Sequence, residues 1–201
     1  MSNVENVCPQ VLRGVAREVR RLAANPPAGI KLVPQDDLTH VEALIDGPAE
    51  TPYVGGVFRV RLELGSDFPA APPRARFLTR VFHPNVSGSG EVCVSTLKRE
   101  WREWKPELGL EHALLAIKCL LIAPNPDSAL NADAAALLQN HYDDYFARAK
   151  LYTEIHARPD RPDTEPRAGP AEAQSDAPRP KREKRPAPSA AKDKRRILKR
   201  L

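Results

Sequence analysis

Apolar residues recur along this chain with two different periods, and the switch between them divides it. In VLRGVAREVRRLAA, residues 11–24, Leu12, Val15, Val19 and Leu22 fall at spacings of three and four and form one stripe of a helix, with Arg13, Arg17 and Arg20 off that stripe. Asn25-Pro26-Pro27 ends it, because proline brings no N–H and restricts the residue before it. From residue 30 the period becomes two. IKLVP, HVEALID and VFRVRLEL read as short strands, with RARFLT as a fourth, and Asp36-Asp37, Gly47-Pro48, Thr51-Pro52 and Gly55-Gly56 supply turns between them. Links this short join antiparallel neighbours, so the expectation is a helix followed by a four-stranded meander.

Prolines and glycines then crowd residues 65–91, in GSDFPAAPPRARF and HPNVSGSGE, but Phe68, Phe77, Val81 and Phe82 are interleaved and demand burial. Long ordered excursions of this kind in a compact domain are usually functional. Helical spacing returns in LGLEHALLAIKCLLI, with Leu110, Leu114, Ile117 and Leu121 on one face. ALNADAAALLQN follows, with Leu130, Ala134, Leu137 and Leu138, and then HYDDYFARAKLYTEIH, whose Tyr142, Tyr145, Phe146 and Ala149 read as a core-facing stripe. Past His156 the character changes. Residues 158–201 hold eight prolines, and Ile197, Leu198 and Leu201 are their only large apolar side chains. Such a segment buries too little to offset an ordering cost of about 1–2 kcal/mol per residue, and disorder in isolation is expected. The fold class is therefore α+β, in a domain over 1–157, with a disordered basic tail over 158–201.

Charge sharpens that division. The 201-residue chain carries a net +5, yet residues 158–201 alone hold 14 Lys and Arg against 7 Asp and Glu, which leaves about −2 for the rest. Three cysteines, at 8, 93 and 119, have no zinc-site spacing and no complete disulfide pairing, so no metal is expected and a reducing compartment is. No apolar run approaches the roughly 18 residues of a membrane span, and no basic region followed by an apolar core opens the chain. A soluble, intracellular protein without a cleaved signal or a membrane partner is the expectation.

One run of motifs carries more than class. TPYVGGVFRVRLELGSDFPAAPPRARFLTRVFHPN joins a Pro-Tyr-x-Gly-Gly-x-Phe strand, a Phe-Pro-x-x-Pro-Pro loop and a His-Pro-Asn step; Cys93 follows, then WKPELGLEHALLAIKCLLIAPNPDSAL with Trp-x-Pro and Pro-Asn-Pro. Over about residues 10–157 this resembles the ubiquitin-conjugating enzymes. SNVENV, the IKCLLI helix and a tail ending RRILKRL are most similar to the S-type, chain-elongating branch that works with the anaphase-promoting complex. The resemblance implies that fold, Cys93 as the active cysteine, and a monomer of the cytoplasm and nucleus. It also implies ubiquitin as donor and acceptor, lysine-eleven linkage, and no bound cofactor, ATP being used by the upstream activating enzyme.

The chemistry fits the residues present. Exchange of one thioester for another is nearly balanced and asks mainly for a thiolate and access, which explains why no base adjoins Cys93. For the later attack by an amine, Asn85 has two readings of equal weight: its amide N–H stabilises the tetrahedral oxyanion, or it pins the loop through backbone hydrogen bonds. His83 reads as structural. A lysine of pKa about 10.4 must lose a proton before attacking, and the family's gate position falls on Ser128, with Asp127 beside it. S-type members carry an acidic pair near the start of the next helix. Here Ala132-Asp133 keeps one acid, which either orients the acceptor or only favours the helix dipole.

Cys119 falls on the helix that the resemblance turns toward the donor ubiquitin, though the general burial of cysteine favours a small core hydrophobe there. Lys98 is a self-modification candidate with a solvated surface lysine as its plain alternative. Arg13, Arg17 and Arg20 read as a solvated face or, by resemblance, as the docking face for the activating enzyme. Cys8 reads as inert.

Departures from the family pattern also carry information. REWREWK, 99–105, holds a tandem REW; Trp104 continues the match and Trp101 is extra. RING ligases grip this family through a bulky apolar residue and small residues at places held here by Ala70 and Glu107, so ordinary RING binding should be weak. The tail then becomes the route to a ligase, with Ile197, Leu198, Arg200 and Leu201 as anchors of a basic peptide that folds onto a groove when bound. The competing reading is a catalytically silent ubiquitin-fold adaptor whose basic tail binds nucleic acid.

Overall fold

The computed structural model describes residues 9–92, 104, 107 and 109–159. Helix α1, Pro9–Ala24, stops where expected: Asn25 N–H makes the last bond, to Arg21, and two prolines follow. Strands β1 (Ile30–Leu32), β2 (His40–Asp46), β3 (Val57–Glu63) and β4 (Arg74–Phe77) form one antiparallel sheet in the order β1-β2-β3-β4, with Glu42 opposite Arg61 and Arg61 opposite Arg76. Helix α2 (Gly109–Ile122), a short 3₁₀ turn (Pro126–Ser128), α3 (Ala132–Asn140) and α4 (Tyr142–His156) complete it. The expected meander and three later helices are all present.

Alternation along the strands decides which face is inside. Val41, Ala43 and Ile45, then Phe58, Val60 and Leu62, then Ala75 and Phe77 are buried in one cluster with Leu110, Leu114, Ile117 and Leu121 of α2 and Tyr145 and Ala149 of α4. The other face is charged. Glu42 there accepts from Arg59 Nε (2.7 Å) and Arg61 Nε (2.8 Å). Burial pushes its carboxyl up, but the hydrogen bonds from Arg61 and Arg59 and their charges outweigh burial and hold it below the usual carboxylate range.

Three expectations need correction. Leu130 is no helix residue: α3 begins at Ala132, because Asn131 caps it by accepting from Ala134 N–H, and Leu130 is exposed. Tyr142 opens α4 and is 54% exposed, so the core stripe starts at Tyr145. Cys119 is exposed rather than buried. It shares the outer face of α2 with Leu115 and Ile122, away from the Leu114–Ile117–Leu121 stripe. The tail, expected to be a separate disordered segment, lies outside the described residues from 160 onward.

Candidate active site

The loop after β4 carries the site, and its backbone is tied down at successive residues. Phe82 packs against Tyr145 and Tyr152, with Arg148 Cζ 4.4 Å above its ring. Its carbonyl accepts from Tyr53 Oη (2.9 Å), and since that spends the single Tyr53 hydroxyl proton, Tyr145 donates to Tyr53 across 2.7 Å. Both phenols are buried, and burial pushes Tyr145 up to about 12.

His83 is fully buried. Its Nδ1 accepts from Asn85 N–H (3.0 Å), so the proton sits on Nε2, which donates to the Leu120 carbonyl at the end of α2 (2.9 Å). Burial lowers its pKa from 6.5 to about 4, against the opposing effect of the Leu120 bond. The imidazole is neutral at pH 7 and both nitrogens are spent on geometry, as the structural reading expects. The Pro84 carbonyl accepts twice, from Leu130 N–H (2.8 Å) and Asn131 N–H (3.0 Å).

Asn85 is likewise fully buried and bridges to the turn after α2. Its Nδ2 donates to the carbonyls of Asn125 (2.6 Å) and Ser128 (3.0 Å), and its Oδ1 accepts from Asn125 N–H (2.9 Å). The loop-pinning role is thus present in full. Beyond Asn85 the chain doubles back: Val86 bridges Val92, Ser87 N–H donates to Glu91, and Val92 N–H donates to Ala75 of β4 (3.0 Å). Val92, buried and anchored, is the last described residue before Cys93.

Of the sequence-derived site residues, Asn85, Asp127 and Ser128 come together. Asn125 links them, capping the 3₁₀ turn by accepting from Asp127 N–H (3.1 Å); Asp127 is exposed and Ser128 half-buried. Asp133 is exposed in the first turn of α3, two residues past the Asn131 that touches Pro84. Cys119 adjoins Leu120, the His83 acceptor. Arg13, Arg17 and Arg20 are apart from these, lining with Gln10 and Ala16 an open groove of about 530 Å³ on α1. Arg13 and Arg17 have no carboxylate partner among the described residues, and Arg20 Nε donates to the Ala16 carbonyl. Cys8, Cys93, Lys98, Trp101, Ile197, Leu198, Arg200 and Leu201 lie outside the described residues.

Trp104 Nε1 donates to the Pro69 carbonyl (2.8 Å) beside Phe68, tying the tryptophan to the proline loop, while Ala70 and Glu107 are exposed. The sequence reading gave no site role to Asn125, Asn131, Tyr53 or Tyr145, the last of which it read as core. An Asn ahead of Pro-Asp and another ahead of ADAAALL are cap signals that could have found the first two; nothing local marks the tyrosine pair, which meets across 92 positions.

Comparison with known proteins agrees with this geometry. The ubiquitin-conjugating enzyme family model matches residues 14–153. A Drosophila persimilis protein named ubiquitin-conjugating enzyme E2 S is 50% identical over 215 aligned positions, covering 100% of this chain and 98% of its own length. The Drosophila melanogaster protein of that name is 57% identical over 159 positions, 79% of this chain and 75% of its own.

Proposed function

The chain belongs to the ubiquitin-conjugating enzymes, a family of transferases, and from that premise we propose that Cys93 takes ubiquitin from the activating enzyme and passes it to a lysine of an acceptor ubiquitin. The product is an elongating chain linked through lysine eleven, made with the anaphase-promoting complex. The observation that carries this reading is the loop whose Phe82, His83, Pro84 and Asn85 are each fixed by hydrogen bonds, about ten positions ahead of Cys93.

In the first step the Cys93 thiolate attacks the incoming thioester carbonyl and the activating enzyme's thiolate leaves. In the second, a neutral lysine amine attacks the Cys93 thioester, the C–S bond breaks, an amide forms, and the amine's proton passes to solvent or a nearby acceptor. Asp127 and Ser128 stand beside Asn85 to orient that amine, and Asp133 is a further acceptor-side candidate. An oxyanion forms between attack and C–S cleavage, and an amide donor on it supplies a few kcal/mol. Asn85 has both amide hydrogens on carbonyls, so it serves the oxyanion by yielding its longer bond, the one to Ser128.

The arginine face of α1 suits an acidic surface on the activating enzyme, and the exposed outer face of α2, with Cys119, Leu115 and Ile122, suits the donor ubiquitin. Exposed Ala70 and Glu107 give an ordinary RING little to grip, which leaves the anchors Ile197, Leu198, Arg200 and Leu201 for the large ligase. The enzyme holds no cofactor of its own, ATP being spent upstream, and acts in cytoplasm and nucleus; Lys98 is a site of self-modification. Deleting Ile197–Leu201 is expected to leave thioester loading unchanged and abolish chain extension with the anaphase-promoting complex. Mass spectrometry of the parent's free chains should find lysine-eleven linkages. Intact ligase-dependent extension after the deletion, or chains dominated by another linkage, contradicts the reading.

A further inference from the structure

We propose that Glu18 is a positioning residue for the His83–Asn85 site, acting through α2 from that helix's opposite end; the inference rests on the reading of Cys93 above. Glu18 lies on α1 between Arg17 and Arg20, but its side chain is only 19% exposed. Its Oε1 accepts from Leu110 N–H (2.6 Å) and from Glu111 N–H (3.4 Å). First-turn amides have no acceptor inside their own helix, and Leu108 and Gly109, the residues at the start of α2, have no side-chain oxygen to offer. A carboxylate from a different helix therefore caps α2, at the positive end of its dipole.

Two neighbours fit this role. Gly109 has φ +62°, and a Cβ there would lie 2.2 Å from Glu18 Oε1, so the close approach needs glycine. Arg21 Nη2 pairs with Glu111 Oε2 (2.9 Å) and lies 3.9 Å from Glu18 Oε1, holding the carboxylate and the helix start together.

At its far end α2 is the floor of the site. The Leu120 carbonyl receives His83 Nε2–H, and three residues beyond the helix Asn125 exchanges hydrogen bonds with the Asn85 amide. Fourteen helical residues make a stiff rod of about 21 Å. Where Glu18 sets the rod along its axis decides where Leu120 meets His83 and Asn125 meets Asn85. Catalytic geometry is sensitive to displacements of about 1 Å.

The test uses the full chain, Glu18→Ala and Glu18→Gln. Three quantities are read: single-turnover discharge of the preformed ubiquitin thioester to lysine, the KM for the activating enzyme in loading, and solvent exchange of the His83 Nε2–H in ¹⁵N-histidine NMR spectra. Glu18→Ala is expected to slow discharge roughly tenfold, leave the loading KM within twofold, and speed His83 exchange; Glu18→Gln, which keeps an oxygen acceptor, restores most of the discharge rate. Discharge within twofold of the parent overturns the proposal. So does a parallel fall of loading and discharge with His83 exchange unchanged, the mark of a purely stabilising residue. A parent chain that never loads ubiquitin contradicts the Cys93 reading, and the His83 signal then still decides the fate of Glu18.

Discussion

His83 is the residue whose environment most constrains the chemistry, because an imidazole that could serve as acid or base is instead held neutral by burial. Its folded pKa of about 4 lies below the ordinary 6.5, so between those values the unfolded chain binds more protons than the folded one. The stability it protects is fully present above pH 6.5 and lost as pH falls toward 4, by up to about 3 kcal/mol. Urea midpoints of the parent are expected to drop across that window, and His83→Gln should flatten the profile there; parallel profiles contradict the assignment. The structural role of His83 was legible from its place in a Pro-Asn turn. That of Cys119 was half legible: its place opposite the Leu114 stripe or at its margin pointed outward, general cysteine burial pointed inward, and the exposed thiol follows the stripe. Asn85 was half legible. Sequence allowed two roles, and the carbonyls that occupy its amide come from residues 40 and 43 positions away, which no local pattern reveals.

Elements were read best where one period ran uninterrupted. α1, β2 and β3 follow their hydrophobic patterns closely, since each turns its apolar residues to one face. α3 began later than its apolar run suggested because a cap, Asn131, outweighs an apolar residue beyond the helix. The start of α2 was harder still, its cap being supplied by α1 rather than by its own sequence. That difference makes the same substitution act with opposite sign in two helices. Gly109→Ala strains a left-handed backbone and drives a methyl into the Glu18 carboxylate, so a loss of about 2–4 kcal/mol is expected. Gly14→Ala, in the interior of α1 with open space around it, is expected to gain up to about 1 kcal/mol. Thermal melts of the two variants check both signs; a neutral Gly109→Ala would remove the case for a tight α1–α2 junction.

At the scale of the molecule, one buried cluster holds sheet and helices together, while the loop of Phe82, His83 and Asn85 is fixed by hydrogen bonds to Tyr53, to the end of α2 and to the 3₁₀ turn. Sequence reached the architecture and the family because the strand, proline-loop and His-Pro-Asn motifs are contiguous. It could not reach the anchoring network, which joins residues brought near one another only by folding. The proposed reaction rests on a single thiol, that of Cys93, and loading tests it directly. The chain is incubated with activating enzyme, ATP and ubiquitin and then analysed by intact mass with and without a thiol reductant. The parent, Cys8→Ser and Cys119→Ser are expected to carry one ubiquitin that the reductant removes, and Cys93→Ser one that it does not. A parent that gains no ubiquitin, or a Cys93→Ser variant whose adduct is still cleaved by thiol, would contradict the account.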